Sequence, residues 1–374
     1  MMPRQMMTWF LVIAGAATVQ AGPYPETGVN GYVDATTRRH ADPLDPNAVL
    51  NPIFRGWATA VAGYAPADQV WSGPGVWNDP NKALGPATGH NFDIVSLGEL
   101  DAAEIIQGLP PGYVTLVFAD PCEPNEATAI RNGKGYDFAV FENGFISQSS
   151  TALGSRQGQM IAELAYVEVS SNGRDFARFP SVSLTDTPTG PYGTVEVSDL
   201  HNLAGRHPNA NGVCTGTPLN LQELADHPHV VSGAVDLNDI RYVRIVDVPG
   251  NGDFRDAATT HIAPETWPDW ANYIEDHPVY DAWPTFGSGG FDLEAVGILH
   301  EQQYSADINL DGIVDSQDLM SLAAAWQSHF GQERWNARCD LSPQKDLVIN
   351  AADFVAFATQ WRHIELWRAQ DKDE

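Results

Sequence analysis

The stretch Asp307-Ile-Asn-Leu-Asp-Gly-Ile-Val-Asp-Ser-Gln-Asp318 restricts its own fold more tightly than any other part of the chain. Oxygen-bearing side chains stand at loop positions 1, 3, 5, 9 and 12: Asp307, Asn309, Asp311, Asp315 and Asp318. Gly312 fills position 6, where a twelve-residue cation loop turns sharply and a Cβ would clash. Ile313 at position 7 offers its backbone carbonyl. Calcium is a hard cation that takes six to eight oxygens, so carboxylates gathered on one tight turn suit it. An acidic, solvated turn is the plainer reading, but it leaves the joint fit of the glycine and five oxygen positions unexplained.

The pattern recurs 35 residues later, where Asp311, Asp315 and Asp318 become Asp346, Asn350 and Asp353. Behind the loops, Leu319, Leu322, Ala323 and Trp326 become Phe354, Phe357, Ala358 and Trp361. Their i, i+3, i+4, i+7 spacing predicts one apolar helical face per copy. The unit is therefore loop then helix, twice. It resembles the type I dockerin family over residues 304–366, and Asp rather than Glu at position 12 fits that resemblance.

The second copy departs from the pattern. At an offset of 35, Leu347 replaces the turn glycine, Gln344 stands at position 3 and Ser342 at position 1. A register starting at Asp340, with two extra residues around Pro343 and Gln344, is the alternative. Its ligands are then Asp340, Ser342, Asp346, the Val348 carbonyl, Asn350 and Asp353. Either way the second site is expected to be the weaker. The resemblance implies calcium as the cofactor and a cohesin-like or other surface partner. It also implies partner recognition through loop positions 10 and 11, which are Ser316 and Gln317, then Ala351 and Ala352. The two pairs are chemically unlike, which disfavours a symmetric dual binding mode.

Residues 1–21 read as a secretory signal peptide, with Arg4 in the n-region, an apolar run from Trp9 to Ala17 and a Val19-Gln20-Ala21 cleavage site. A retained anchor is the alternative. The chain is expected to be secreted or displayed at a cell surface, without a transmembrane segment after cleavage. Loss of Arg4 makes the formal charge of −28 one unit more negative. Such acidity disfavours nucleic acid, which rewards basic patches. Hydrophobic residues make up 43 % of the chain, enough for a globular fold. Cys122, Cys214 and Cys339 form no disulfide framework, though a Cys122–Cys214 bridge is one reading.

Residues 22–303 are punctuated by turn residues between short β-branched or aromatic runs. Strands are expected at 113–118, 136–141, 165–170, 176–179, 240–248 and 293–299, with Asn172-Gly173 turning a hairpin. Residues 102–107 and 219–225 are the helical candidates. Strands without helix alternation imply an antiparallel β-sandwich. The segments 167–176 and 240–246 resemble the strands of galactose-binding-like, discoidin-like jelly rolls. Segments 137–145, 162–168 and 290–297 resemble secreted bacterial surface proteins of no assigned activity. The expected fold is thus a mainly β, jelly-roll-like sandwich, then a small α-helical dockerin-like module and a charged tail at 367–374.

Candidate chemistry in the sandwich is sparse. By period two, Phe138, Val140 and Glu142 share a face, which sets a carboxylate beside apolar residues. Glu142, Glu163, Asp247 and Asp292 fall near strand ends. They read as a structural calcium site, as carboxylates bonded to backbone amides or to Arg241 and Arg244, or as an acid–base pair for glycoside hydrolysis. No metalloprotease, nucleophile-elbow, phosphate-loop or dinucleotide motif occurs, no catalytic residue is assigned, and the histidines at 201, 207, 227 and 229 read as loop residues. Trp71, Trp77, Trp267, Trp270 and Trp283 lie in irregular stretches and read either as loop anchors or as sugar-stacking rings. The functional expectation is a docking protein whose sandwich binds a glycan. A dockerin-bearing polysaccharide hydrolase and a purely structural envelope protein are the alternatives.

Overall fold

The structure is a computed structural model that describes residues 22–67, 77–118, 129–257, 276–285, 289–300, 306–309, 313–342 and 346–362. Two six-stranded antiparallel sheets form a mainly β, sandwich-like body. The first runs Val29–Asn30, Thr215–Leu219, Phe138–Glu142, Asp292–Ile298 and Gly56–Trp57, with Val95–Ser96 also pairing to Asp292–Ile298. The second runs Ala177–Arg178, Ala165–Ser170, Tyr242–Asp247, Tyr113–Val117 and Ala60–Ala65, with Leu203–Ala204 added beside Ala165–Ser170.

Alternation along the strands builds the core. Phe138, Val140, Leu293, Val296 and Ile298 from one sheet join Val114, Leu116, Val167, Val169, Val243 and Ile245 from the other in a single buried cluster. The opposite face of the first sheet is buried too, where Ala139, Phe141 and Ala295 lie under Tyr32, Phe54 and Trp57. Chain before the first long strand thus serves as a lid of packing, which is why hydrophobic residues run on without alternation in Phe138–Glu142.

Local signals act as expected at the Asn172-Gly173 hairpin. The Ser170 hydroxyl accepts the amides of Asn172 and Gly173, and Gly173 takes φ +72°, which glycine adopts without strain. Residues 102–107 form a helix whose Asp101 and Glu104 make a reciprocal capping box. The stretch 219–225 differs from expectation: Leu219 ends a strand and Leu221–Leu224 is a 3-10 turn. Cys214 and Cys339 are buried thiols, and Cys122 lies outside the described residues. Among the described residues, no helix is long and apolar enough to cross a membrane.

The C-terminal part has two helices, Ser316–Ala324 and Ala351–Thr359, packed about Ile308, Val314, Leu322, Leu341, Ile349 and Phe357. The copies exchange equivalent backbone bonds. Gln327 N–H donates to the Ile349 carbonyl at 2.8 Å, and Arg362 N–H donates to the Val314 carbonyl at 2.9 Å. The apolar faces expected of the helices are only half covered. Leu322 and Phe357 are buried, but Phe354 and Trp361 remain 47 % and 44 % exposed.

Candidate metal centre

Each loop is closed by its last aspartate. Asp318 Oδ1 accepts the amides of Ile308 and Asn309 at 2.7 and 3.0 Å, while its Oδ2 accepts the amide of Asp315 at 2.9 Å. Asp353 repeats the scheme: Oδ1 takes the amides of Leu341 and Ser342 at 2.7 and 2.8 Å, and Oδ2 takes that of Asn350 at 2.7 Å. Both carboxylates are completely buried. Each also starts its helix, because Asp315 or Asn350 at the N-cap bonds reciprocally with it.

This correspondence aligns Ile308 with Leu341 and Asn309 with Ser342. It sets Asp340 opposite Asp307, so the hydrogen bonds follow the register that begins at Asp340 rather than the offset of 35. The extra residues then fall at 343–345, outside the described residues. Beyond them the offset of 35 holds, and Leu347 sits where the first copy has Gly312. Leu347 takes φ +61°, the left-handed conformation that a glycine adopts freely.

Asp340, Asp346 and Asp353 can each present a carboxylate oxygen within 4.8 Å of the other two. That spread matches oxygens sharing one ion at about 2.4 Å each. Every donor in the set is oxygen, the preference of a hard cation. Asn350 Nδ2 donates to Asp346 Oδ2 at 2.9 Å and to the Val348 carbonyl at 3.2 Å, tying those groups into the same turn. In the first loop Asp307 is buried, Asp315 caps the helix, and Asn309 and Ile313 lie at the loop's edges, while Asp311 and Gly312 lie outside the described residues.

Ser316, Gln317, Ala351 and Ala352 are all exposed on the first turns of the two helices. Beside them Leu319, Phe354, Phe357, Ala358 and Trp361 line an apolar cleft of about 290 Å³.

The sandwich corrects several expectations. Arg241 pairs with Asp239 at 2.9 Å, and Arg244 reaches Glu168 at 3.5 Å, so neither answers the buried acids. Instead Glu142, Glu163, Asp247 and Asp292 meet at one end of the sandwich and are joined by Glu99 and Asp281, which lie in loops and went unnoticed in the sequence. Burial first, then the charges of its neighbours, raises the carboxyl of Glu163 well above its ordinary range; for Asp292 burial, opposed by hydrogen bonds with Ser96 and Asn143, lifts it to about 7.

The described tryptophans of the sandwich are packed, not open platforms. Trp283 is half-buried, with its indole N–H donating to the Leu100 carbonyl at 3.2 Å. Trp77 is half-buried against Phe92 at 6.3 Å between rings, leaving Phe92 as the exposed edge. Trp71, Trp267 and Trp270 lie outside the described residues. His201 ends a short strand, whereas His207 lies in a loop as expected, but a buried one. His201 sits between Glu26 at 3.0 Å and Glu223 at 2.9 Å, while His207 is buried and bonded to Thr217 and the Glu26 carbonyl. Their shared partner Glu26 is remote in sequence, so no local signal marks them.

No protein-family model matches the chain, and no curated protein matches its sequence.

Proposed function

We propose that this is an exported, calcium-dependent docking protein. Its C-terminal part is a dockerin-like module whose two loops bind calcium and whose helix starts meet a cohesin-like or other surface protein. The convergence of Asp340, Asp346 and Asp353 supports this reading most directly. Clustered carboxylates repel one another without an ion, so calcium binding and folding of the module are coupled. The apolar cleft beside Ser316, Gln317, Ala351 and Ala352 supplies the desolvated centre that a protein interface needs.

The jelly-roll-like sandwich is the module's cargo and binds a glycan in this reading. Its support is the aromatic edge of Phe92, 61 % exposed and flanked by Trp77 and His90. Titrating the calcium-stripped chain with calcium tests the module. Incubating the full chain with a panel of insoluble polysaccharides, with and without calcium, tests the sandwich. Retention without release of sugar is expected. Released sugar would instead identify a polysaccharide hydrolase, and neither retention nor release would leave a structural envelope role.

A further inference from the structure

The end of the sandwich gathers acids that the docking reading does not use. Ala165 pairs with Asp247 and Leu293 with Glu142, so three strand ends bring Asp247, Glu142 and Asp292 together with Glu163, two residues ahead of the strand Ala165–Ser170. Asp247 Oδ1 accepts the Phe291 amide at 2.8 Å, a bond that joins the two sheets. Asp281 Oδ2 accepts the Leu164 amide at 2.7 Å, next to Glu163. Glu99 accepts both the amide and the hydroxyl of Thr285. Glu142, Asp247, Asp281 and Asp292 are each no more than 5 % exposed, whereas Glu163 and Glu99 are half-buried and open the cluster outward.

Two observations separate this cluster from a chance gathering of acids. Asp247 Oδ2 and Asp292 Oδ1 are fully buried and meet no hydrogen-bond partner. Asp247 is fixed through its other oxygen by the Phe291 amide; Asn143 Nδ2 reaches the other oxygen of Asp292 at 3.3 Å, and the Asp292 carboxyl also has a hydrogen bond with Ser96. One oxygen anchored and the other free is the arrangement of a metal ligand with its supporting bond. The backbone is also cut away around the acids. A Cβ would lie 1.6 Å from Asp281 Oδ1 at Gly250, 2.7 Å from Glu142 Oε2 at Gly144, and 3.0 Å from Asp247 Oδ1 at Gly290.

Among the described residues, no positive charge acts on Glu163, Asp247 or Asp281. The charges acting on Glu163 are Asp292, Glu142, Glu99 and Asp281, strongest first, and all are negative. Those acting on Asp247 and Asp281 are likewise all carboxylates. An unpaired buried charge costs several kcal/mol, roughly, even after relaxation.

We propose that this end of the sandwich binds calcium through the free oxygens of Asp247 and Asp292, with Glu163 beside the ion at the open edge. An all-oxygen donor set selects a hard divalent cation. Among the described residues only the second loop of the module brings three carboxylate oxygens within 4.8 Å of one another. The sandwich ion therefore takes at most two carboxylates directly, and backbone carbonyls and water complete its six to eight oxygens. The site ties the two sheets together where their strands end, and it stands independently of the docking reading.

The test counts calcium in the full chain carrying Asp318→Asn and Asp353→Asn, which disable the module's loops. Equilibrium dialysis against calcium is expected to leave at least one ion per chain. Adding Asp247→Asn and Asp292→Asn should remove that ion and abolish the calcium-dependent rise in the sandwich's melting temperature. Should that variant fail to fold, Glu163→Gln at the open edge is expected to weaken the retained site at least tenfold. A folded, module-disabled chain that retains no calcium would overturn the proposal. So would an Asp247→Asn, Asp292→Asn chain that melts higher with the calcium count unchanged, since the acids would then be held neutral by protons.

Discussion

His207 is the residue whose burial has the most legible consequence in solution. Burial, reinforced by the neighbouring Arg206 charge, lowers its pKa to about 4. The folded imidazole therefore stays neutral between pH 6.5 and about 4, while the unfolded one takes a proton. Stability is fully present above the unfolded value and falls as pH drops through that window, by at most about 3 kcal/mol. Glu26 acts in the same direction at lower pH. Although burial opposes it, the His201 bond and the Arg206 charge hold this carboxyl at about 2, so its contribution is present above 4.5 and lost as pH falls toward 2. His201 acts oppositely, because burial is outweighed by Glu223 and Glu26, which raise its pKa, so its contribution is present below pH 6.5 and fades as pH rises through the folded value. Chemical unfolding of His207→Gln between pH 7 and 4 is expected to show a shallower loss than the parent chain. An unchanged slope would mean that His207 titrates alike in both states. None of this could be read locally, because Glu26 and Glu223 are 175 and 22 positions from His201.

Among the elements, the loop–helix repeat was plain in the sequence and its register was not. The apolar spacing and the aspartates repeat at 35, but the start of the second loop slips by two, and only the amides held by Asp318 and Asp353 identify the match of Asp340 with Asp307. Turn chemistry bears on the expectation that the second site is the weaker. Leu347 occupies the left-handed position of the turn glycine at φ +61° and leaves its side chain 49 % exposed, so it loses backbone freedom without gaining burial. A left-handed conformation costs a non-glycine residue about 1–2 kcal/mol. Leu347→Gly is expected to stabilise the module by about 1 kcal/mol after the entropy lost from the unfolded chain is deducted. Denaturant unfolding followed through Trp326 and Trp335 reads this, and a destabilised variant would show that the leucine side chain holds the turn. Strands were legible in proportion to their side chains. Ala165–Ser170 was visible from its β-branched and aromatic run, whereas Thr215–Leu219 was hidden by Gly216 and Pro218, and Ala60–Ala65 by its small residues.

For the molecule as a whole, calcium is the common term of the two proposals. Two gatherings of carboxylates, one in the tandem loops and one where the sheets meet, stand out in a chain with formal charge −28. Four of the six sandwich acids could be suspected from period two and strand ends. Glu99 and Asp281 could not, because loops obey no such period. The glycan reading has the least geometry behind it, since the described tryptophans of the sandwich serve packing. Calorimetric titration of the calcium-stripped full chain tests the central claim most directly, with Asp311→Ala and Asp353→Ala alongside. The account predicts calcium binding accompanied by a gain of helix, with each substitution abolishing tight binding at its own loop. Titrations of both variants indistinguishable from that of the parent chain would contradict it.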